Sequence, residues 1–403
     1  MKKSMIVAAM LAMVATGANA KSATDSATIA KNKPVFTVVK QNPITSIKDQ
    51  NRSGTCWAYS TLSYFESEIL KHTGKTYDLS EMFVANKTYM DRATMAVRMH
   101  GDVSFSQGGS AYDVLYALQH YGIVPEGAMP APGTLTGDSL ANFGEFFDVM
   151  TPYVEAVAKS NAKKISSAWK SGLQGIIDSY IGKTPEKFTY QGKLYTPQSF
   201  CQSLGLNLDD YVTITSYTHH PMWSKFAVEV QDNWRWPLSY NVPMDDLCKI
   251  IDNAINNGYT IAWGGDVTED GFTRKGLGIA YDVKKVRSMA GTDADHWFKL
   301  SKDEKKEKFD SLGVNAPEVV PTQAMRQEAF DNWETTDDHG MHIYGIAKDQ
   351  NGKEYYMVKN SWGEYGDYKG TWYMTKAFVA YKTMDFMVNK NAIPKDIRKK
   401  LGI

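Results

Sequence analysis

The sequence predicts an α+β fold, with helices in the N-terminal half and an antiparallel sheet towards the C-terminus. From residue 58 to residue 69, apolar side chains recur at helical spacing, directly after a Ser-Gly-Thr stretch suited to a helix start. Near the other end, two segments rich in β-branched and aromatic residues flank an Asp-Gln-Asn-Gly turn signal. Segregation of helical and strand patterns along one chain is typical of α+β proteins.

The first 20 residues predict a secretory signal peptide. Lys2 and Lys3 precede an apolar run that ends near Ala18, and the Ala-Asn-Ala sequence at 18–20 is typical of a cleavage site. The run falls short of the ~20 apolar residues that a membrane-spanning helix needs. We therefore expect a mature chain of residues 21–403, exported to the periplasm or the cell exterior and not inserted in a membrane.

Charge and cysteine content argue against a nucleic-acid-binding protein, a disulfide framework and a zinc site. Lys plus Arg equals Asp plus Glu at 45 each, which leaves no overall field to attract nucleic acid. Three cysteines are an odd number, so at least one thiol is expected to be free. Cys201 and Cys248 occupy apolar positions of helix-like patterns and are expected to be buried. Cys201, His219 and His220 lack the spacing of zinc ligands, and we expect neither a metal nor another cofactor.

Cys56 is the candidate nucleophile. It lies in the first turn of the predicted helix, where unpaired backbone N–H groups and the helix dipole favour a thiolate. A thiolate that attacks a carbonyl also needs hydrogen-bond donors for the oxyanion. The side-chain amide of Gln50, six residues upstream, can supply one donor, and the backbone N–H of Cys56 can supply another.

A predicted β-hairpin selects the histidine that would serve as the base. Its strands are 341–347 and 354–359, and a turn about Asn351 places residues whose numbers sum to about 702 opposite each other. His342 and Asn360 meet this condition within one residue of register, so Asn360 can orient the imidazole while Trp362 shields the pair. His339 is the competing candidate, and it lies outside the predicted strand.

Three stretches resemble the papain superfamily of cysteine peptidases. They are Gln50 followed after five residues by CWAYS, SQGGSAYDVLYALQHYGIVPE at 106–126, and KNSWGEYGDYKGTWYM at 359–374. The resemblance implies a papain-like two-lobe fold, with a helical lobe, an antiparallel β-barrel-like lobe and a cleft between them. By the same resemblance Cys56 is the nucleophile, His342 the general acid and base, Asn360 its orienter and Gln50 an oxyanion donor. Gly108 and Gly109 match the glycine pair that runs beside the substrate backbone.

A long insertion narrows the resemblance to one branch. The interval from Cys56 to His342 is 286 residues, against about 130–150 in papain-type enzymes. Two apolar faces predict a helical hairpin from 138 to about 181, within an inserted region that reaches about residue 200. Such an insertion resembles the hook of the bleomycin hydrolase and aminopeptidase C branch, which implies a homo-hexamer and removal of residues from a free N-terminus. The residues of the two faces are Phe143, Phe146, Phe147, Met150, Val154, Val157, Ile165, Trp169, Leu173, Ile176 and Ile177.

The expected function is therefore that of an exported cysteine peptidase that acts on peptides, with aminopeptidase action favoured. The ending IPKDIRKKLGI is short relative to the tail of that branch, which keeps endopeptidase and dipeptidyl-type cleavage open. A non-catalytic oligomeric scaffold would be expected to have lost part of the Cys56, His342, Asn360 and Gln50 set. Acyl transfer to an amine is a further alternative, although such enzymes more often pair cysteine and histidine with aspartate.

Overall fold

A computed structural model describes residues 33–133, 140–285 and 301–403, so the predicted signal peptide lies outside the described residues. The helices are α1 (Cys56–Thr73), α2 (Glu81–Arg98), α3 (Ala111–His120), α4 (Gly144–Ala158), α5 (Ala168–Tyr180), α6 (Pro197–Ser203), α7 (Met244–Asn256), α8 (Lys302–Leu312), α9 (Gln323–Asp331), α10 (Lys376–Lys382) and α11 (Lys395–Leu401). The strands are β1 (Thr37–Gln41), β2 (Phe188–Tyr190), β3 (Lys193–Tyr195), β4 (Tyr211–Thr215), β5 (Lys225–Phe226), β6 (Ser239–Asn241), β7 (Ile261–Gly265), β8 (Phe272–Thr273), β9 (Leu277–Gly278), β10 (His339–Lys348), β11 (Glu354–Lys359), β12 (Thr371–Thr375) and β13 (Thr383–Asn389).

The helical lobe is built from α1 to α6 around one apolar core. The hydroxyl of Ser80 caps α2 by accepting a hydrogen bond from the backbone N–H of Phe83, and a reciprocal capping box of Ser110 and Asp113 starts α3. Helix α1 ends at Gly74, whose φ of 69° is in the left-handed region that glycine adopts without strain. Such caps fix where each helix starts and stops, and therefore where Cys56 lies.

Helices α4 and α5 lie in the region for which the sequence predicts a helical hairpin. The apolar face of α4 is buried through Phe146, Met150 and Val154, and α5 buries Leu173 and Ile177 against it. The start of the predicted insertion, at residue 138, lies outside the described residues. Aromatic contacts tie this pair of helices to α2, since the ring centroids of Phe147 and Tyr89 are 5.1 Å apart.

The second lobe is a large sheet whose strands come mainly from the C-terminal half. In the described ranges its strand order is β5, β6, β4, β13, β7, β10, β11, β12, β9, β8, and β1 pairs with β10 outside this path. Most pairs are antiparallel, but β4 with β6 and β9 with β12 are parallel. Its apolar core includes Trp263, Ile343, Trp372 and Phe386. A helical lobe packed against this sheet confirms the predicted α+β class.

The predicted hairpin near the C-terminus is confirmed as β10 and β11. His342 is paired with Lys359, a sum of 701, and beyond an irregularity at 343–345 Ile346 is paired with Tyr356, a sum of 702. The predicted register is therefore correct to within one residue. Strand β10 begins at His339, two residues earlier than predicted, because its first residues pair with β7 rather than β11.

Strand β10 meets the start of α1 at Gly340, and this contact brings the two lobes together. A Cβ atom built at Gly340 would lie 2.6 Å from Ser60 Oγ, 3.2 Å from the carbonyl oxygen of Cys56 and 3.3 Å from Trp57 Cα. Any side chain at position 340 would therefore push the strand away from the helix. The packing of this glycine sets the distance between Cys56 and the beginning of β10.

No helix among the described residues combines the length and the apolar character that are needed to cross a bilayer.

We expect Gly340→Ala to destabilise the protein by about 1–3 kcal/mol, because the added methyl overpacks the contact between β10 and α1. Urea unfolding followed by circular dichroism measures the change. Gly127→Ala is the matched control, since a Cβ atom at Gly127 meets nothing within 4 Å. Equal stability of the two variants would show that the close approach at Gly340 does not constrain the fold.

Candidate active site

A cavity of about 240 Å³ opens between the start of α1 and the start of β10. Four aspartates border this cavity, together with one thiol and one imidazole. The residues that matter for its chemistry are Cys56, Trp57, Gly108, Gly109, Asp232, Asp337, Asp338, His339, Gly340 and Asp385. All three cysteines of the chain are free thiols, and Cys56 is the one that borders this cavity.

The half-buried thiol of Cys56 lies at the first residue of α1. Burial raises the pKa of Cys56 to about 12, and the negative charges of Asp337 and Asp232 act in the same direction. Hydrogen bonds from the backbone of Gly340 and of Trp57 lower the pKa and offset only part of this effect. The sequence predicts a thiolate at this helix start, whereas burial and the neighbouring carboxylates favour the neutral thiol.

His339 is the imidazole that shares this cavity with Cys56. Its Nε2 lies 2.8 Å from Asn360 Oδ1, a distance typical of a hydrogen bond, and burial lowers the pKa of His339. Asn360 Oδ1 also accepts a hydrogen bond from the backbone N–H of Ser361 at 2.8 Å, which fixes that oxygen as an acceptor. Nε2 of His339 therefore carries the proton, and Nδ1 is the nitrogen left for the cavity.

Trp362 lies over the histidine and asparagine pair. The centroids of the Trp362 and His339 rings are 5.0 Å apart, with an angle of 36° between the ring planes. Trp362 also packs edge-on against Trp372 of β12 at 5.4 Å, which holds the indole in place. An apolar cover over a polar pair keeps water away and strengthens the hydrogen bond between His339 and Asn360.

The structure corrects the placement of His342. This residue is fully buried, does not border the cavity, and lies with its Nδ1 2.9 Å from the hydroxyl of Ser63 in α1. Burial lowers the pKa of His342 well below its usual value, and the neighbouring charge of Lys359 lowers it further. The pairing predicted between His342 and Asn360 is therefore wrong, and His339 makes that contact instead.

The alternation of side chains along a strand explains this correction. His342 is paired directly with Lys359, so these two residues point to the same face of the sheet. Asn360 is the next residue after Lys359, so its side chain points to the opposite face. On β10, side chains an odd number of positions from His342 also point to that opposite face. His339 is three positions from His342, so it lies on the same face as Asn360. An uncertainty of one residue in register was enough to select the wrong histidine.

Gln50 is buried, and hydrogen bonds hold both ends of its side-chain amide. Gln50 Oε1 accepts from the hydroxyl of Ser361 at 2.6 Å, and Nε2 donates to the carbonyl oxygen of Ser53 at 2.7 Å. The backbone N–H of Gln50 also donates to the carbonyl oxygen of Ser361 at 2.8 Å. Gln50 therefore joins the segment before α1 to the residue that follows Asn360.

Gly108 and Gly109 border the cavity, and the space in front of Gly108 is filled by the chain itself. A Cβ atom at Gly108 would lie 1.8 Å from Asp232 Oδ2, so the Asp232 carboxylate rests against the glycine backbone. Asp232 Oδ1 accepts from both terminal nitrogens of Arg92 at 3.1 Å. At Gly109, a Cβ atom would lie 2.8 Å from the Trp57 ring. Both glycines are needed for close packing around the cavity.

The segment 228–236 carries Asp232 to this position, and two sets of ion pairs hold it. Arg92 of α2, which is fully buried, binds Asp232. Arg235 binds Asp113 of α3 at 2.7 Å and Asp91 of α2 at 2.6 Å. Because several charge-assisted hydrogen bonds fix this segment on the helical lobe, Asp232 is a rigid part of the cavity wall.

Among the four aspartates of the cavity, Asp337 has the fewest hydrogen bonds and ion pairs to stabilise its negative charge. Burial raises the pKa of Asp337 well above its usual range, and the charges of Asp232, Asp385 and Asp338 raise it further. No hydrogen bond or ion pair reaches its carboxyl group from the part of the chain that the structure describes. Burial also raises the pKa of Asp385 to about 6. A cation that entered the cavity would therefore be favoured by several carboxyl groups.

Four of these residues, Asp337, Asp338, Arg92 and Asp232, were not predicted from the sequence. The adjacent pair Asp337 and Asp338 directly precedes His339, and this run of charge before a strand of apolar residues was a usable signal. Arg92 and Asp232 are 140 positions apart, and nothing in their local sequence indicates that they form an ion pair. Their contact depends on the packing of the two lobes.

Two family models cover most of the described chain. The model described as the Peptidase C1-like family matches residues 179–402, and the model described as papain family cysteine protease matches residues 34–234. The first of these matches spans more than half of the chain. The second contains Cys56, and the first contains His339 and Asn360.

Curated relatives resemble the chain over most of its length. Aminopeptidase G of Lactobacillus delbrueckii subsp. lactis is 23% identical, over 89% of this chain and 84% of the relative. Aminopeptidase C of Lactobacillus helveticus is 23% identical, over 90% of this chain and 85% of the relative. Bleomycin hydrolase of Rattus norvegicus is 21% identical, over 92% of this chain and 86% of the relative.

The crystal structure of PepW from Lactobacillus rhamnosis HN001 has the same fold. Its TM-score is 0.68 at 19% identity, and the match covers 99% of this chain and 95% of PepW. The predicted papain-like two-lobe fold is confirmed, as is the branch that the sequence resembles. The chain therefore belongs to the Peptidase C1-like family and is a papain-superfamily cysteine peptidase related to aminopeptidase C and bleomycin hydrolase.

Proposed function

We propose that this peptidase removes residues from the free N-terminus of peptides, with Cys56 as the nucleophile and His339 as the general acid and base. The observation that carries the proposal is that Cys56 and His339 border one cavity while His339 Nε2 is held by Asn360 at 2.8 Å. Nδ1 of His339 is then the nitrogen that exchanges a proton with the thiol. The names of the relatives support the choice of aminopeptidase action.

The reaction follows from these groups. Cys56 Sγ attacks the peptide carbonyl carbon while its proton moves to His339 Nδ1, which gives a tetrahedral oxyanion and an imidazolium. Backbone N–H groups at the start of α1, together with the second Nε2 hydrogen of Gln50, are the donors available to that oxyanion. The C–N bond then breaks as the imidazolium protonates the leaving amine, and a thioester remains. Water hydrolyses the thioester, with His339 accepting and returning its proton.

A neutral resting pair fits the surroundings of both groups. Burial lowers the pKa of His339, and burial with nearby carboxylates raises the pKa of Cys56 to about 12. Proton transfer from Cys56 to His339 therefore becomes more favourable when a positive charge offsets the effect of the neighbouring carboxylates. The positively charged α-amine of a bound peptide is such a group, because it reduces the repulsion that the forming thiolate experiences.

The shape of the cavity favours cleavage next to a free N-terminus. The carboxylate of Asp232 fills the space in front of Gly108, one of the two glycines that by the family resemblance run beside the substrate backbone, and we infer that it blocks the N-terminal continuation of a longer peptide. Its Oδ2 atom faces this space, while Oδ1 is bound to Arg92. A peptide that ends here can place its α-amine between Asp232 and Asp337, whereas an acetylated peptide meets a blocked path and uncompensated carboxyl groups.

Export and assembly belong to the same proposal. The segment 1–20 has the charge and hydrophobic pattern of a secretory signal peptide, which supports action in the periplasm or outside the cell. Assembly into a homo-oligomer follows from the resemblance to the hexameric branch, and light scattering measures it. Cell fractionation with detection of the mature N-terminus tests the location, and a chain that keeps residues 1–20 in the cytoplasm would contradict export.

Replacement of the two histidines by glutamine separates their roles. We expect His339→Gln to lower kcat/KM by about 100- to 10,000-fold, which is the usual contribution of a general acid and base. His342→Gln is expected to lower kcat/KM by less than about 10-fold, because its ring contacts Ser63 and does not border the cavity. Peptide turnover by variants shown to be folded by circular dichroism provides the measurement. Near-normal turnover by His339→Gln would refute the assignment.

Matched peptides with free and acetylated N-termini test the exopeptidase preference. We expect kcat/KM to be higher for the free peptide, and Asp337→Asn to reduce this ratio by about 10-fold or more, since a hydrogen bond to a charged group contributes about 1.5–3 kcal/mol. Asp148→Asn, on the exposed face of α4, is the control and should leave the ratio unchanged. Equal rates on both peptides would indicate an endopeptidase. A third outcome is rapid release of an acetylated dipeptide whose first residue is Lys or Arg. That result would show that Asp232 and Asp337 bind a basic side chain of the substrate instead of its α-amine.

The effect of Asp337 on the thiol can be measured without a substrate. At a pH high enough to ionise Asp337 and below the pKa of Cys56 in both proteins, removal of this negative charge in Asp337→Asn should lower the pKa of Cys56, so that iodoacetamide modifies Cys56 about tenfold faster. Mass spectrometry distinguishes Cys56 from Cys201 and Cys248, the pKa values of which burial raises to about 11. An unchanged or slower reaction at Cys56 would show that Asp337 does not repel the thiolate.

A further inference from the structure

Two histidines and a glutamate converge outside the catalytic cavity. His219 and His220 follow β4, and Glu229 follows β5. His219 Nε2 lies 3.0 Å from Glu229 Oε2, and His220 Nε2 lies 3.0 Å from Glu229 Oε1. Nitrogen and oxygen atoms of the three side chains all lie within 4.8 Å of one another. The sequence separation of Glu229 from the histidine pair concealed this cluster.

The contacts of Gln327 restrict the orientation of His219. Gln327 Oε1 accepts a hydrogen bond from the backbone N–H of Thr218 at 2.6 Å, which fixes this atom as the amide oxygen. Gln327 Nε2 donates to Asp331 at 2.9 Å, in agreement with that orientation. His219 Nδ1 lies 3.3 Å from Gln327 Oε1 and 3.1 Å from Gln327 Nε2, so it can donate to the oxygen or accept from the nitrogen. When Nδ1 donates, Nε2 presents a lone pair to the Glu229 carboxylate.

In the tautomer whose Nδ1 donates to Gln327, the lone pair of Nε2 and the carboxylate oxygen repel each other at 3.0 Å unless a positive charge lies between them. A proton on His219 Nε2 would supply that charge, and so would a metal ion bound by both atoms. The Gln327 contact is typical of the second case, because metal-binding histidines usually donate their other N–H to a neighbouring oxygen. Nitrogen and carboxylate ligands with a free Nε2 suit Zn²⁺ and similar divalent transition metals.

Aromatic contacts hold both imidazoles in the converging orientation. The rings of His220 and Phe226 stack with centroids 4.2 Å apart and 20° between their planes. The rings of His219 and Phe330 stack at 5.6 Å and 18°, and Phe226 also contacts His219 edge-on at 5.2 Å. Ligands that are already oriented lose less conformational entropy when they bind an ion.

We propose that His219, His220 and Glu229 bind one divalent transition-metal ion of the Zn²⁺ type, with water completing its coordination. The two histidines come from the end of β4, Glu229 belongs to segment 228–236, and Gln327 lies in α9. The ion would join these three parts of the chain. Since Glu229 is three residues from Asp232, the site fastens the outer end of the segment that forms one wall of the catalytic cavity.

Titration of the full-length mature chain with Zn²⁺, in a Cys56→Ser background, tests the proposal. The Cys56→Ser substitution is included because Cys56 and His339 could themselves bind zinc. Removal of the thiol leaves the His219, His220 and Glu229 cluster as the one expected site. We expect one Zn²⁺ per chain by calorimetry and an increase in the melting temperature with zinc concentration, because the ion binds the folded state. Co²⁺ should give visible d–d bands without the ultraviolet thiolate-to-cobalt band that a cysteine ligand produces.

Ligand variants decide whether the ion occupies this cluster. We expect His220→Ala and Glu229→Gln to weaken Zn²⁺ binding by more than about 10-fold, and Gln327→Leu to weaken it by about 10-fold through loss of the hydrogen bond to His219. His120→Ala is the matched control, since His120 is an exposed histidine that stacks on Tyr116 at 4.0 Å. Absence of binding in the parent chain, or equal affinity in His220→Ala and in the parent, would overturn the proposal.

Discussion

The contact between Gly340 and the first turn of α1 is the constraint on which the catalytic arrangement depends. Only a residue without a side chain allows β10 to approach Ser60 and the carbonyl oxygen of Cys56 this closely. That approach places the backbone of Gly340 within hydrogen-bonding distance of the Cys56 thiol, and His339 is the adjacent residue. The Cys56 thiol and the His339 imidazole are thus positioned by backbone packing between two rigid elements, which holds their separation more tightly than two flexible loops could.

The number of carboxyl groups around the Cys56 thiol is the main electrostatic feature of this cavity. A helix start favours an anion, but four aspartates border the same cavity, and Arg92 compensates Asp232. Burial and these charges together raise the pKa of Cys56. Asp337 has no hydrogen-bond or ion-pair partner in the described part of the chain. Such a cluster of carboxyl groups lowers the stability of the ligand-free protein, and a cationic ligand would reduce the repulsion between them. Natural proteins tolerate costs of this kind mainly at sites that bind or react.

The local sequence pattern predicted the helix at Cys56 and the C-terminal hairpin, but it did not predict which side chains contact one another. The hairpin of β10 and β11 followed from its turn signal and from strand composition, and its register was predicted to within one residue. The choice between His339 and His342 depended on that one residue, because neighbouring positions on a strand face opposite directions. The ion pairs of Arg92 with Asp232 and of Arg235 with Asp113 join residues more than 100 positions apart, and they arise from the packing of the lobes. The segment around Cys56 could be read directly because a helix start is a local feature.

The separation of Cys56 and His339 along the chain has a consequence for biosynthesis. Cys56 belongs to the helical lobe, whereas His339 is 283 residues further on and is positioned by β7 as well as by Asn360. A growing polypeptide that has reached only residue 285 contains the thiol but not His339. Under the proposed mechanism, hydrolysis therefore requires residues from the last third of the chain, and a nascent chain that ends before them lacks the proposed acid and base.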